Sequence, residues 1–186
     1  MSVSRISTRY AKSLMDLAIE RNELDAVKAD IDLFSHALKS RDLYLMLKSP
    51  IINAAKKTEV VHVLFDRKIS KTTLAFFDII VRKGREMYLP EIAADFIVQY
   101  KIYNRISTVT ITTASALSEA SLSDIKSRLL SSHITMDKLD VVTKVDPTLI
   151  GGFIIEVGDK LYDASISHKL ELFKKEFAHN QFVKSF

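Results

Sequence analysis

The spacing of hydrophobic positions changes once along the chain. Up to about residue 105 they recur every three to four residues, and from Ser107 onward they alternate, a pattern that predicts a helical half followed by a strand-bearing half. The densest apolar stretch runs from Leu74 to Val81, where only Asp78 is charged. A helix that is apolar on nearly every side must be enclosed, so segment 72–83 is predicted as the centre of the helical half. Arg82 and Lys83 suit its negative end, Gly84 can close it in a left-handed conformation, and Pro90 suits the first turn of the next helix.

The first helix, 4–21, carries Ile6, Tyr10, Leu14 and Leu17 at helical spacing, with Arg5, Arg9, Lys12, Asp16 and Glu20 opposite. Ala11, Met15, Ala18 and Ile19 widen its apolar arc to about twice the ~100° stripe of an ordinary surface helix, so part of it is expected to face a partner. Asn22 is read as the cap of a second helix bearing Leu24, Val27, Ile31, Phe34 and Leu38 and running to Lys39. A short apolar turn at 43–47 follows. A helix at 54–65 is expected to pack through Val60, Val61, Leu64 and Phe65, and the helix from Pro90 presents Ile92, Phe96, Tyr100 and Tyr103.

Beyond residue 105, segment 107–114 is a β-branched strand with Val109 and Ile111 on one face. Ser118 suits the cap of a helix bearing Leu122, Ile125 and Leu129; strands follow at 139–145 and 153–157. Gly158 and Asp159 form a Gly-first pair suited to a two-residue hairpin returning through 160–162, and Ile166, Leu170, Phe173 and Phe177 mark a final helix. The expected fold is mixed α and α+β: a six-helix bundle domain over 1–105 and a small α+β domain over 106–186.

Composition narrows the setting. The chain has no cysteine, which excludes disulfides and thiolate metal ligands and favours a reducing compartment. No apolar run approaches the ~18 residues of a membrane span, and the opening MSVSRISTRYAKSL lacks a signal-peptide core, so it reads as a mature start. The 27 basic against 23 acidic residues leave a net charge of +4, scattered along the chain, which favours solubility over a dedicated nucleic-acid face.

Candidate chemistry is sparse. Glu59 with His62, and Glu176 with His179, make the Glu-x-x-His spacing of di-iron bundles, but the further inward-facing glutamates are missing and the first pair falls opposite Val60, Val61 and Leu64, toward solvent. Gly151 and Gly152 belong to no phosphate-loop pattern and are read as structural. His36, His133 and His168 lack a spaced carboxylate and nucleophile. The basic pairs at 56–57, 67–68, 82–83 and 174–175 fit helix ends and solvated faces, with no interleaved aromatic platform. No catalytic residue, cofactor or metal is expected. A helical nucleic-acid binder and a di-metal or other small-molecule enzyme stand as the alternatives to an interaction protein.

Several stretches nevertheless form a pattern. Arg9-Tyr10-Ala11-Lys12-Ser13-Leu14, Lys83-Gly84-Arg85 with Leu89-Pro90-Glu91-Ile92, and Val145-Asp146-Pro147-Thr148-Leu149-Ile150-Gly151-Gly152-Phe153 followed by Val157-Gly158-Asp159 and Asp163-Ala164-Ser165 occur in that order. Together they resemble the delta subunit family of bacterial ATP synthase, called OSCP in mitochondria, over nearly the whole length. The resemblance implies a non-catalytic stator or peripheral-stalk subunit, peripheral to the cytoplasmic face of the bacterial inner membrane. Its helical domain would bind N-terminal helices of alpha subunits and its C-terminal domain the b subunits, with no nucleic acid and no homo-oligomer expected. Tyr10, Ala11 and Leu14 of the first helix and Phe76, Ile79 and Ile80 of the fifth are the candidate groove residues for the alpha helix. Asp146, Pro147, Gly151, Gly152, Gly158 and Asp159 form the structural signature, and the apolar tail residues Phe182, Val183 and Phe186 are expected to contribute to the stalk contact.

Overall fold

The computed structural model describes residues 3–131 and 138–179. The chain divides into two compact units, Met1–Tyr103 and Asn104–Phe186. His133 and the tail residues 180–186 lie outside the described residues.

The first unit contains α1 (Val3–Glu20), α2 (Leu24–Ala37), α3 (Arg41–Lys48), α4 (Ala54–Phe65), α5 (Lys71–Arg82) and α6 (Leu89–Tyr103), with a 3-10 turn at Glu86–Tyr88 leading into α6. α1 lies along α6, and its buried stripe includes Ala11 and Ala18, whose small side chains permit close approach. Thr8 Oγ1 donates to Asp95 (3.0 Å) and Gln99 Nε2 donates to the Thr8 carbonyl (3.1 Å), fixing the register of the two helices. The core centres on Phe34 of α2, whose ring lies 5.6 Å from Phe65 of α4 and 4.7 Å from Phe77 of α5. Each such ring, fully buried, contributes about 1.5–3 kcal/mol.

The helix ends show which local signals operate. Asn22 does not cap α2: it has φ +55, and the Asn22 and Glu23 N–H groups donate to the Ile19 and Ala18 carbonyls, so it closes α1 in the Schellman arrangement. Gly84 (φ +63) closes α5 in the same way, with Gly84 and Arg85 donating to Val81 and Ile80. α5 starts one turn-cap earlier than its apolar run suggests, because the Ser70 hydroxyl accepts from the Thr73 N–H. The buried Asp30 carboxylate of α2 adds a tertiary cap, accepting from Ser70 N–H (2.9 Å) and Thr73 Oγ1 (2.8 Å).

Three expectations about burial are corrected. α4 packs through Lys57, Val61 and Phe65, at four-residue spacing, while Val60 and Leu64 remain exposed. Lys57 is not on a solvated face; it is 1% exposed, and its ammonium donates to the carbonyls of Leu47 (3.1 Å) and Ser49 (2.7 Å) and to Glu86 Oε1 (2.9 Å). Three acceptors match its three donors, which makes burial of the charge tolerable. α5 is likewise enclosed only in part, since Ala75, Ile79 and Arg82 face outward.

The second unit is a four-stranded sheet in the order β2-β1-β3-β4, formed by β1 (Ile106–Thr113), β2 (Lys138–Val145), β3 (Phe153–Val157) and β4 (Lys160–Asp163). α7 (Glu119–Ser131) lies between β1 and β2 in the chain, and those strands run parallel, as a helical crossover allows. The other pairs are antiparallel, with Ile111 opposite Ile155 and Val109 opposite Val157. Val109, Ile111, Ile155 and Val157 form the core under Ile125 and Leu129 of α7. Ser118 accepts from the Ser121 N–H at the start of that helix, as its sequence position predicts. α8 (Ile166–His179) follows β4.

Candidate partner-binding surfaces

In the first unit the six expected groove residues occupy different environments. Ala11, Leu14 and Ile80 are 0% exposed and Phe76 is 7% exposed, all within the main core cluster. Ile79 is 50% exposed. Tyr10 is half-buried; the Arg85 guanidinium carbon lies 5.4 Å from its ring centroid and Arg85 Nη1 donates to its hydroxyl. The side chain of Arg85, whose N–H completes the closure of α5, is thereby held against α1. Buried members can serve as the floor of a binding surface, whereas Ile79 and the Tyr10 ring are the parts a partner can touch without opening the core.

Sequence reasoning missed a second apolar surface. Tyr44 and Leu45 of α3 and Val60, Val63 and Leu64 of α4 are exposed, Val63 at 80%. Beside them is a 360 Å³ depression lined by Leu43, Met46, Val60 and Leu64 with Ser40 and Asp42. The signal was present as apolar residues on more than one side of the 54–65 helix, but periodicity alone cannot tell a broad core face from a core face plus an outer one.

The possible metal pair resolves differently. Glu59 is exposed, and His62 Nε2 lies 2.9 Å from Asp78 Oδ1 of α5, so His62 faces a neighbouring helix rather than open solvent. Among the described residues, no group of three or more His, Cys, Asp or Glu side chains converges on one point. The side chain of His179 lies outside the described set.

In the second unit the signature residues build joints. Asp146 Oδ1 accepts from the Thr148 hydroxyl (2.7 Å) and N–H (3.0 Å), which holds the carboxyl below the ordinary carboxylate range, and Pro147 opens the 3-10 turn Pro147–Leu149. Gly152 has φ +79, and a Cβ there would sit 2.4 Å from the Ala164 carbonyl oxygen, so only glycine lets the two backbones meet. Gly158 (φ +56) and Asp159 make the two-residue turn between Val157 and Lys160. The Ser165 side chain and the Ser165 N–H (2.8 Å from Asp163 Oδ1) both hydrogen-bond the Asp163 carboxyl, which lowers its pKa.

Next to these joints is an apolar cleft of 390 Å³, lined by Ile125, Leu129, Phe153, Ile155, Val157 and Tyr162, with Arg128 and Asp163 among its polar residues. It opens on the sheet face that α7 does not fully cover. The apolar stripe of α8 is also uncovered: Ile166, Leu170, Phe173 and Phe177 are 44–78% exposed.

The family model described as "ATP synthase delta (OSCP) subunit" matches residues 6–177. The chain belongs to this family. It is 32% identical to "ATP synthase subunit delta" of Cytophaga hutchinsonii, covering 95% of this chain and 96% of the relative. It is 35% identical to the protein of the same name from Halothermothrix orenii, covering 92% of this chain and 90% of the relative. Among solved structures, a chain of the Toxoplasma gondii mitochondrial ATP synthase hexamer matches with a TM-score of 0.71 at 20% identity, over 92% of this chain and 97% of that one. That likeness supports the fold, a helical unit followed by an α+β unit. Membership of the delta (OSCP) family makes the chain a non-catalytic peripheral-stalk subunit of F-type ATP synthase, and no described helix is long and apolar enough to cross a membrane.

Proposed function

We propose that the helical unit seats an N-terminal helix of the alpha subunits of the catalytic head, and that the C-terminal unit holds the b subunits of the stalk, at the cytoplasmic face of the bacterial inner membrane. The observation that carries the first part is Ile79, left half exposed on α5 between the buried Phe76 and Ile80. An amphipathic helix placing an apolar side chain against Ile79 and the Tyr10 ring rests on a floor already packed by Ala11, Leu14 and Ile80, the helix-in-groove mode. The exposed surface of α3 and α4 supports a second seat for a helix of the same kind.

Calorimetric titration with a synthetic alpha N-terminal peptide tests both seats. Ile79→Glu is expected to weaken the α1–α5 seat at least about tenfold, since a carboxylate cannot be buried unpaired, while Val63→Glu leaves that seat unchanged. Loss of affinity with Val63→Glu alone moves the seat to α3–α4. For the stalk contact, the open cleft and the α8 stripe support the reading. Tyr162→Glu is expected to weaken b-subunit binding, and truncation after Phe177 tests the part taken by tail residues 180–186. Unchanged b binding by both variants removes the cleft and the tail from the interface.

A further inference from the structure

The two ends of the α1–α5 seat differ in charge. The helices run antiparallel: Arg21 Nη1, just past the end of α1, donates to Thr72 Oγ1 in the first turn of α5 (3.1 Å), whereas Tyr10, in the first half of α1, meets Arg85 just past the end of α5. By their three- and four-residue spacing, Ser13 and Leu17 share the side of α1 on which Tyr10 makes that contact. Ser13 and, on α5, Ala75 are small and exposed, so a third helix can approach closely between the larger walls of Tyr10, Leu17 and Ile79.

At the Tyr10–Arg85 end the rim is basic. Arg9 of α1 and Arg82 and Lys83 of α5 are exposed, and Arg85 lies against the Tyr10 ring. The acids beside Arg82 and Lys83 in the sequence are held elsewhere, Asp78 by His62 (2.9 Å) and Glu86 by Lys57 (2.9 Å). At the Thr72 end the charges are mixed: Glu20 is exposed and Glu23 Oε2 accepts from Thr72 Oγ1 (2.8 Å), alongside the exposed Arg21 and Lys71. A helix generally carries acids in its first turn and bases in its last, where they complement the macrodipole, and these full charges outweigh the half charge of the bare helix end. We infer that the alpha-subunit helix is acidic in its first turns and lies with that end against Arg9, Arg82 and Lys83, antiparallel to α5, its basic last turn reaching Glu20 and Glu23. The opposite polarity sets bases against bases at the Arg82 end, so the rim rejects it. This inference rests on the α1–α5 seat proposed above and adds its direction and the charge it selects.

Because the chain has no cysteine, a single introduced thiol reports the direction. Lys83→Cys and Lys71→Cys place it at the C-cap and at the first residue of α5, about 18 Å apart along the helix, and each removes one lysine, so the two compare evenly. In a glutathione redox buffer, a synthetic alpha N-terminal peptide with a cysteine preceding its helical segment is expected to form a disulfide with the full-length Lys83→Cys variant and not with Lys71→Cys. A peptide with the cysteine after that segment shows the reverse preference. By calorimetry, Arg82→Glu/Lys83→Glu is expected to weaken peptide binding about tenfold, a loss that shrinks as salt is added, whereas Lys71→Glu does not weaken it. Lys71, Arg82 and Lys83 are all exposed, so these variants keep the fold. Equal or reversed cross-linking, or equal losses from the two ends, with Ile79→Glu still weakening the peptide, overturns the polarity and leaves the seat standing. Peptide binding untouched by Ile79→Glu places the seat elsewhere, and the inference falls with it.

Discussion

Replacing Lys57 by Met should be among the most destabilising single changes in the helical unit. The ammonium joins three segments: the end of α3 through the Leu47 and Ser49 carbonyls, α4 on which it stands, and the turn before α6 through Glu86. Met fills the same volume but leaves the Glu86 carboxylate, whose side chain is only 14% exposed, without its counter-charge. Glu86 Oε2 has no hydrogen-bond partner either. Breaking one side of a buried ion pair costs about 3–5 kcal/mol, a large share of the 5–15 kcal/mol by which a domain is typically stable. In urea, with a slope of about 2 kcal/mol/M, that corresponds to a midpoint lowered by about 1.5–2.5 M. The measurement is helical circular dichroism during urea unfolding. The control is the double variant Lys57→Met/Glu86→Met, which removes both charges and should recover most of the loss, since an apolar pair of similar volume is often as stable as the ions it replaces. A Lys57→Met midpoint within experimental scatter of the parent, or a double variant no more stable than the single, refutes the reasoning.

Three further outcomes follow from other joints. Ala11→Leu should cost about 1–3 kcal/mol by overpacking the α1 core stripe, because Ala11 is fully buried; an unchanged unfolding midpoint places it on an accessible surface instead. Gly152→Ala should destabilise the C-terminal unit by about 2–4 kcal/mol through backbone collision and left-handed strain, whereas Gly158→Ala, with nothing within 4 Å of a Cβ, should cost only about 1 kcal/mol, and equal costs contradict the close approach at Ala164. Asp163 has its pKa lowered by the hydrogen bonds from Ser165, so its contribution is present above the unfolded value near 3.8 and is lost as pH falls through the lower folded value. Protection factors of the β3–β4 hairpin amides, taken against the intrinsic exchange rate at each pH, should therefore fall in acid in the parent and less so in Asp163→Asn, and identical acid dependence in the two excludes Asp163 as the cause.

Much of the architecture was legible from periodicity, because a helix and a half-buried strand each impose a repeat that burial must respect. The change of period near residue 105, the β1 face of Val109 and Ile111, the closing role of Gly84 and the Gly158-Asp159 turn all depend on local backbone geometry and its immediate side chains. Asn22 shows where local reading stops. The same residue type starts helices through its side chain and ends them through a left-handed backbone, and here the Asn22 and Glu23 N–H groups close α1 on the Ile19 and Ala18 carbonyls.

The sequence by itself determined the elements, their order and the family, since these reside in residue spacing and in contiguous motifs. Only the tertiary structure decided which apolar faces are core and which are free. Ala11 and Ile79 read alike as apolar helix positions, yet one is enclosed by neighbouring helices and the other is half open. Lys57 read as a solvated charge until α3 and the turn before α6 supplied three acceptors from residues 8 to 29 positions away. In each case the deciding partner is distant in the chain, and a local pattern carries no information about which distant group will arrive to bury a methyl or pair a charge.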